Sequence, residues 1–487
     1  MIVNTELTWR SWPRVYQAAA IAFLLYTAVH VAYSGIWRPW QDHVIIQTGQ
    51  EMRPLQAYFR TGRPVTLDPD NPRQYGPTYL FLMHPILRWF GGPDPAHLNT
   101  DDPTQMPATR SLSRALFLTD LISLTLAGWF VIASIRVRLL RPASIGAARS
   151  AIVIVGLVVL WMNYSPLYEA LTEKTVEIWE LGLIAAAMYA ALSDRPFWTG
   201  FCLAAATLMK MLPGFLFLLL LLRDRRAFLY GCAWIAVFLC AGHILYGPEL
   251  GLGYLLLPFK ALSGHTIGFT GVDNLSFKGL IAKSVGHLIP RAPGGPFVDG
   301  DPRSGLYVAL TPFQINFANR LGDLISIVLV VWMLWALIRL GRRRATPYTD
   351  LWAWAFADII MLVVTPLIGY EYTTLVLPAF SVACAVAIAF PAAVGRTVIA
   401  RLAFGVFLVA NIIPRQVVDR IIPVTMFGRL SGYVDMPPTK LYSYYCFVTL
   451  GLLLLVHALW EMRPDAAARS TGFFPSGAAT STESGRL

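Results

Sequence analysis

Membrane-length apolar runs recur along this chain from Ala18 to Trp460. The hydrocarbon layer is about 30 Å thick and asks about 20 consecutive apolar residues of a helix that crosses it. In lipid, every backbone N–H and C=O must be satisfied internally, which leaves helix bundles and closed β-barrels as the available solutions. The runs here are continuous rather than alternating, so the barrel pattern is excluded. Charged residues make up 14% of the chain, where soluble domains carry about a quarter. The expected fold class is an all-α polytopic membrane protein.

Charge placement orients the segments. The net charge is +11. Much of the surplus sits in short connections between apolar runs, where cytoplasmic loops carry it, so it does not argue for nucleic-acid binding. Arg10 and Arg14 precede the first span, about Tyr16 to Gly35, and set the N-terminus in the cytoplasm. That span is too long for a signal-peptide core and lacks a small-residue cleavage site, so it is expected to remain as an anchor. Arg136, Arg138 and Arg141, then Arg223, Arg225 and Arg226, then Arg342 to Arg344, mark further cytoplasmic ends. Cys202, Cys232, Cys240, Cys384 and Cys446 fall inside apolar runs without metal-ligand spacing and read as small core residues.

Two segments depart from simple crossings. Pro77 to Phe90 is short, with both flanks of external character, and is expected to be re-entrant or interfacial. Phe197 to Leu222 has basic residues at both ends, Arg195 and then Arg223. Pro213 removes a backbone donor and Gly214 weakens the helix, so two half-length helices are expected to meet there, lifting Lys210 toward the outer face. Further spans are expected near residues 112–135, 151–162, 176–192, 227–245, 325–340, 351–367, 373–390, 398–413 and 442–460. The total is roughly twelve crossings with both termini inside. Residues 1–462 are expected to form the transmembrane domain, and residues 463–487 a disordered cytoplasmic tail rich in Ala, Ser, Thr and Gly.

The residues with chemical potential converge on one side. The expected external loops hold Asp42 and His43, Lys210 at the hairpin apex, and Lys260, His265, Asp273, Asn274, Ser276, Lys278 and Lys283; Glu371 lies at another external helix end. Ionisable groups at membrane depth are costly and by default functional. Lys210, flanked by apolar runs, suits the phosphate of a lipid carrier, with Lys283 or Lys260 assisting. A sugar on a lipid phosphate already has an anionic leaving group. What remains is to deprotonate an acceptor hydroxyl, which one carboxylate can do.

These landmarks, in this order, resemble the GT-C superfamily of polyprenyl-phosphate-sugar-dependent glycosyltransferases, and within it glycosyltransferase family 87, the α-mannosyltransferase-like group. Asp42 with its following apolar residues resembles the family's first-loop aspartate. Tyr75-Gly76-Pro77 through His84-Pro85 resembles the Tyr-Pro-Pro segment closing that loop. Lys210 to Pro213, a leucine run and Arg225-Arg226 resemble the Lys-x-x-Pro signature with its basic end. Asn274-Leu275-Ser276 with Lys283 resembles the Asn-x-Ser…Arg element, with lysine in place of arginine. Thr365-Pro366 to Leu377-Pro378 resembles the late helix junction. The resemblance covers about residues 15 to 390. The chain departs from it at Lys174-Thr175-Val176-Glu177, where only Glu177 matches Gly-Gln-x-Asn/Glu, and at Tyr370-Glu371-Tyr372, which lacks the family's histidine.

The resemblance implies a GT-C-type fold and an inverting hexosyltransferase of the bacterial plasma membrane, with its active site on the external face. A polyprenyl-phosphate-linked sugar, mannose by resemblance, is the implied donor, and a lipid or glycan the implied acceptor. Asp42 is the implied general base. Lys210 and Lys283 hold the donor phosphate, and His43, Tyr75, Asn274, Ser276 and Glu371 shape the site. No cofactor or metal is required, because lysines can neutralise the leaving phosphate. Blander roles stay open: Asp42 and Glu371 suit helix caps, Lys210 suits a snorkelling cation, and Asn274-Leu275-Ser276 also matches a glycosylation sequon. A flippase or transporter of lipid-linked sugars is the alternative function, with a pyrophosphate-dependent ligase and a non-catalytic subunit as further rivals.

Overall fold

The computed structural model describes residues 14–41, 52–66, 75–98, 103–256, 279–281, 312–341, 347–365, 371–390 and 444–464. Its regular elements are all helical. Helix α1 (Arg14–His30) runs through a π-helical stretch, Val31–Trp37, into the short α2 (Arg38–Gln41). Helices α3 (Arg53–Thr61) and α4 (Pro77–Phe90) follow. Helix α5 (Met106–Ile135) has 30 residues, about 45 Å at 1.5 Å per residue, more than a bilayer core. Helices α6 (Ala147–Met162) and α7 (Ser165–Glu173) meet at a bend of 49°. Then come α8 (Glu177–Leu192), α9 (Pro196–Thr207), α10 (Phe217–Arg223) and α11 (Arg225–Tyr246). The late helices are α12 (Pro312–Gly341), α13 (Pro347–Val364), α14 (Leu377–Ala389) and α15 (Tyr444–Glu461).

Six helices among the described residues are long and apolar enough to cross a membrane, or seven if the bent α6–α7 pair is one span. The sequence leads one to expect roughly twelve. Part of the difference is length: α8 has 16 residues and α9 has 12, short of the run of about 20 that a full crossing needs. The expected span near residues 398–413, and the tail beyond residue 464, lie outside the described residues.

Helices α5, α8, α9 and α11 pack in series, and α4 lies against α5 and α11. Helices α12, α14 and α15 surround α13. The apolar windows of α13 and of residues 372–389 are 83% buried, against 11% for the first span and 17% for α11. Helices α13 and α14 are therefore central, and α1 and α11 are peripheral. Ile21, Leu24, Leu25 and Val29 of α1 face outward, which in a hydrocarbon layer carries no penalty. Close approach between α9 and α11 depends on glycine: a Cβ on Gly200 would meet the Gly231 nitrogen at 2.5 Å. Small residues at such contacts let backbones approach where lipid supplies no hydrophobic drive.

The two ends of the bundle differ in chemistry. At one end, Arg138 donates to the Leu192 carbonyl (2.7 Å), and Arg223 pairs with Asp350 (2.6 Å), tying α10 to α13. A cleft of about 280 Å³ there is lined by Arg138, Asp194, Pro196, Arg223, Arg226 and Asp350, among others. Pro196 starts α9 and Arg223 ends α10, so the chain between them leaves this end and returns to it. Its turning point is Lys210, close in space to Glu177, the first residue of α8.

Candidate active site

The turn at Lys210 is a helix that cannot continue. The N–H groups of Leu208, Met209 and Lys210 still bond back to the carbonyls of Ala204 and Ala206. Pro213 then offers no N–H, and the chain tightens into a 3₁₀ turn, Leu212–Leu216. That break strands carbonyls in a buried place, where an unpaired one is costly. The start of α4 supplies the donors: Gly76 N–H reaches the Met209 carbonyl (3.1 Å) and Thr78 N–H the Leu208 carbonyl (3.2 Å). Gly76 is required for this approach. A Cβ there would lie 2.1 Å from the Leu208 oxygen and 2.5 Å from the Tyr254 ring. The Tyr75-Gly76-Pro77 segment and the Lys210 break are thus one structure.

Lys210 is 8% exposed and Glu177 is wholly buried. The Lys210 ammonium forms an ion pair with Glu177 Oε1 and donates to the Tyr75 hydroxyl (3.4 Å). It lies 3.9 Å from the centroid of the Tyr372 ring and 5.0 Å from that of Tyr75. An ammonium between aromatic faces in a desolvated site gains about 2 kcal/mol or more from the ring quadrupoles. Tyr372 belongs to a 3₁₀ turn, Glu371–Val376, packed on α7, α8 and α13. The Tyr164 hydroxyl fixes that turn by donating to the Thr373 carbonyl (2.7 Å).

More charge surrounds this pair. Glu180, one turn beyond Glu177 on α8, is wholly buried, and the Lys210 charge acts on it through space. Asp120 of α5 is 1% exposed and feels both Lys174 and Glu177. Lys174 is itself buried, with φ of +54° at the C-cap of α7. A left-handed backbone is costly for a side chain of this type and is a recurrent sign of a functional site. Tyr254, 1% exposed, completes the group. Burial, followed by the charge of Glu180, pushes its hydroxyl pKa well above the ordinary tyrosine value. Among the described residues, Glu177 Oε2, both Glu180 oxygens and the Tyr254 hydroxyl have no hydrogen-bond partner.

Of the residues singled out from the sequence, Lys210 and Tyr75 come together here. Glu371 opens the turn that carries Tyr372, and its side chain lies outside the described residues, as do Asp42, His43, Asn274, Ser276 and Lys283. The chain leading to Asp42 is nevertheless anchored near this end. Trp40 packs edge-on against Phe117, with the Arg114 guanidinium 4.8 Å from its ring, beside a cluster that includes Ile178. His84 is elsewhere, sharing a hydrogen bond of 3.0 Å with the Tyr246 hydroxyl. The sequence does not single out Glu180, Asp120 or Tyr254, and Lys174, Glu177 and Tyr372 enter only within the stretches that depart from the family pattern. For Glu180 and Asp120 the signal was present, a carboxylate inside an apolar helical run. Nothing local marks Tyr254, whose partners are distant in sequence.

Comparison with the curated proteins returns no match. The family model for glycosyltransferase family 87 matches residues 74–366. That stretch contains Tyr75, Gly76, Glu177, Glu180, Lys210 and Tyr254; Asp42 lies before it, and Glu371 and Tyr372 lie after it. A match over more than half the chain, on a bundle of apolar helices that buries a polar centre where two of its segments interlock, places this membrane protein in glycosyltransferase family 87.

Proposed function

We propose that this chain transfers mannose from a polyprenyl-phosphate donor to a hydroxyl of a lipid or glycan acceptor at the external face of the plasma membrane, with inversion. The observation that carries this is Lys210: a buried cation at the bundle end opposite the arginines, held by Glu177 and two tyrosines inside the family-matched region. A donor phosphate placed there shares the ammonium with Glu177, and Lys283 adds a second positive charge. An ammonium has three donor hydrogens, so sharing is sterically ordinary.

In the reaction, Asp42 takes the proton of the acceptor hydroxyl. The acceptor oxygen bonds to the anomeric carbon as the carbon–oxygen bond to phosphate breaks. Polyprenyl phosphate departs with the bonding pair, its charge stabilised by Lys210. Attack in line on a β-linked donor yields an α-glycoside. His43, Tyr75, Asn274, Ser276 and Glu371 shape the substrate site.

The test is transfer from labelled polyprenyl-phosphate-mannose in membranes, comparing the native chain with Asp42→Asn at equal protein level. Transfer by the native chain that falls by at least about 100-fold in the variant is the expected result, within the range general-base removal produces. Equal transfer by both removes Asp42 from the chemistry. No transfer by the native chain with any acceptor membrane overturns the donor assignment.

A further inference from the structure

The Lys210 centre contains more hydrogen-bonding capacity than its own residues use. Glu180 is wholly buried, and neither carboxyl oxygen has a hydrogen-bond partner among the described residues. The Tyr254 hydroxyl is in the same condition. Buried polar groups are as a rule satisfied, because each unmet one forfeits its bonds to water. Those that persist unmet in a native fold call for a specific cause, and a ligand that supplies the missing partners is one.

The arrangement says what kind of ligand would do so. Lys210 bonds Glu177 and Tyr75 and acts on Glu180 only through space, and both Glu180 oxygens stay unmet among the described residues. An anion set directly against the Glu180 carboxyl would bring two like-charged groups together, so the group that meets Glu180 brings donors without negative charge of its own. A carboxyl group accepts from two adjacent hydroxyls, and a tyrosine hydroxyl both donates and accepts. Aromatic rings stand alongside, Tyr75 and Tyr372 flanking the Lys210 ammonium. Apolar rings with a few convergent polar groups are the usual make-up of a small-molecule site. Neutral hydroxyl donors next to a phosphate-holding lysine describe a sugar carried on a phosphate.

We infer that Glu180 and Tyr254 form the subsite that recognises hydroxyl groups of the donor sugar, next to the Lys210 position that holds its phosphate. This rests on the proposed function. It assigns the phosphate to Lys210 and the sugar to α8 and Tyr254, and so predicts that the two parts of the donor are read separately. A site built to hydrogen-bond a substrate hydroxyl discriminates strongly against a ligand lacking it, because its own buried groups are left unpaired.

The test uses the full-length protein in lipid nanodiscs and two probes, polyprenyl phosphate and polyprenyl-phosphate-mannose, reading the thermal unfolding midpoint at saturating probe. For the native chain both probes raise the midpoint, the mannose-bearing one further. In Glu180→Leu and in Tyr254→Phe the rise with polyprenyl phosphate persists, and the extra rise from the sugar disappears or is at least halved. Tyr254→Phe keeps the ring that packs beside Gly76, so it decides the matter if Glu180→Leu does not fold. Variants that retain the full sugar increment, or that lose both rises together, overturn the subsite. A native chain indifferent to both probes overturns it along with the donor assignment, and is recognisable because the phosphate-only arm is then flat as well.

Discussion

Lys210 stays buried because Glu177 meets its charge and Tyr75 and Tyr372 supply aromatic faces. Breaking such a pair from one side leaves a bare charge in an apolar interior, which costs about 3–5 kcal/mol. Glu177→Leu is accordingly expected to destabilise the protein by that order in an equilibrium unfolding titration. Lys210→Met combined with Glu177→Leu is expected to recover most of the loss, since replacing a whole buried pair by apolar groups is often neutral. An unchanged unfolding midpoint in Glu177→Leu would show that the pair is not held in the folded protein. Lys210 was legible in the sequence because a lysine between apolar runs, three residues before Pro213, has few bland explanations. Glu180 and Asp120 carry the same kind of signal, an ionisable group in an apolar helical run, but stand outside the motifs that carry the family resemblance. Tyr254 was beyond reach, since its ring packs beside Gly76 across a long sequence separation, and Tyr372 stands in a named stretch whose ring only the structure sets against Lys210.

The junction between the start of α4 and the broken end of α9 is the element on which this site depends. Two backbone donors of α4 satisfy carbonyls exposed by the break, and Gly76 admits the close approach. Gly76→Ala forces a methyl into the space of the Leu208 carbonyl and the Tyr254 ring. Overpacking of this kind costs about 1–3 kcal/mol, so a lowered unfolding midpoint with reduced transfer is expected. A variant of native stability and native rate would mean that the two segments are not held at this distance. The break itself was readable from Pro213 and Gly214, because the backbone chemistry of those residues is local. Its partner was not, because nothing in Tyr75-Gly76-Pro77 says which carbonyls its donors will meet.

The whole bundle separates two chemistries by the length of a short helix. Helix α8 runs from Glu177 at the polar centre to Leu192 beside the arginine-lined cleft; its 16 residues span about 24 Å. The sequence conveyed the helical membrane class and the polarity of its ends, since both follow from apolar run length and arginine placement. The number of full crossings is less legible: six or seven helices among the described residues have the length and apolarity for one, and the expected span near residues 398–413 lies outside them. The central claim is that the buried Lys210 holds the donor phosphate, and kinetics on the full-length protein test it most directly. Transfer from labelled polyprenyl-phosphate-mannose should be measured for the native chain and for Lys210→Met combined with Glu177→Gln, a pair of changes that leaves no lone buried charge at that pair. The account predicts a fall in kcat/KM of at least about 100-fold, the scale seen when one stabiliser of transition-state charge is removed, in a variant that still folds. A folded variant that transfers mannose at the native rate would contradict it.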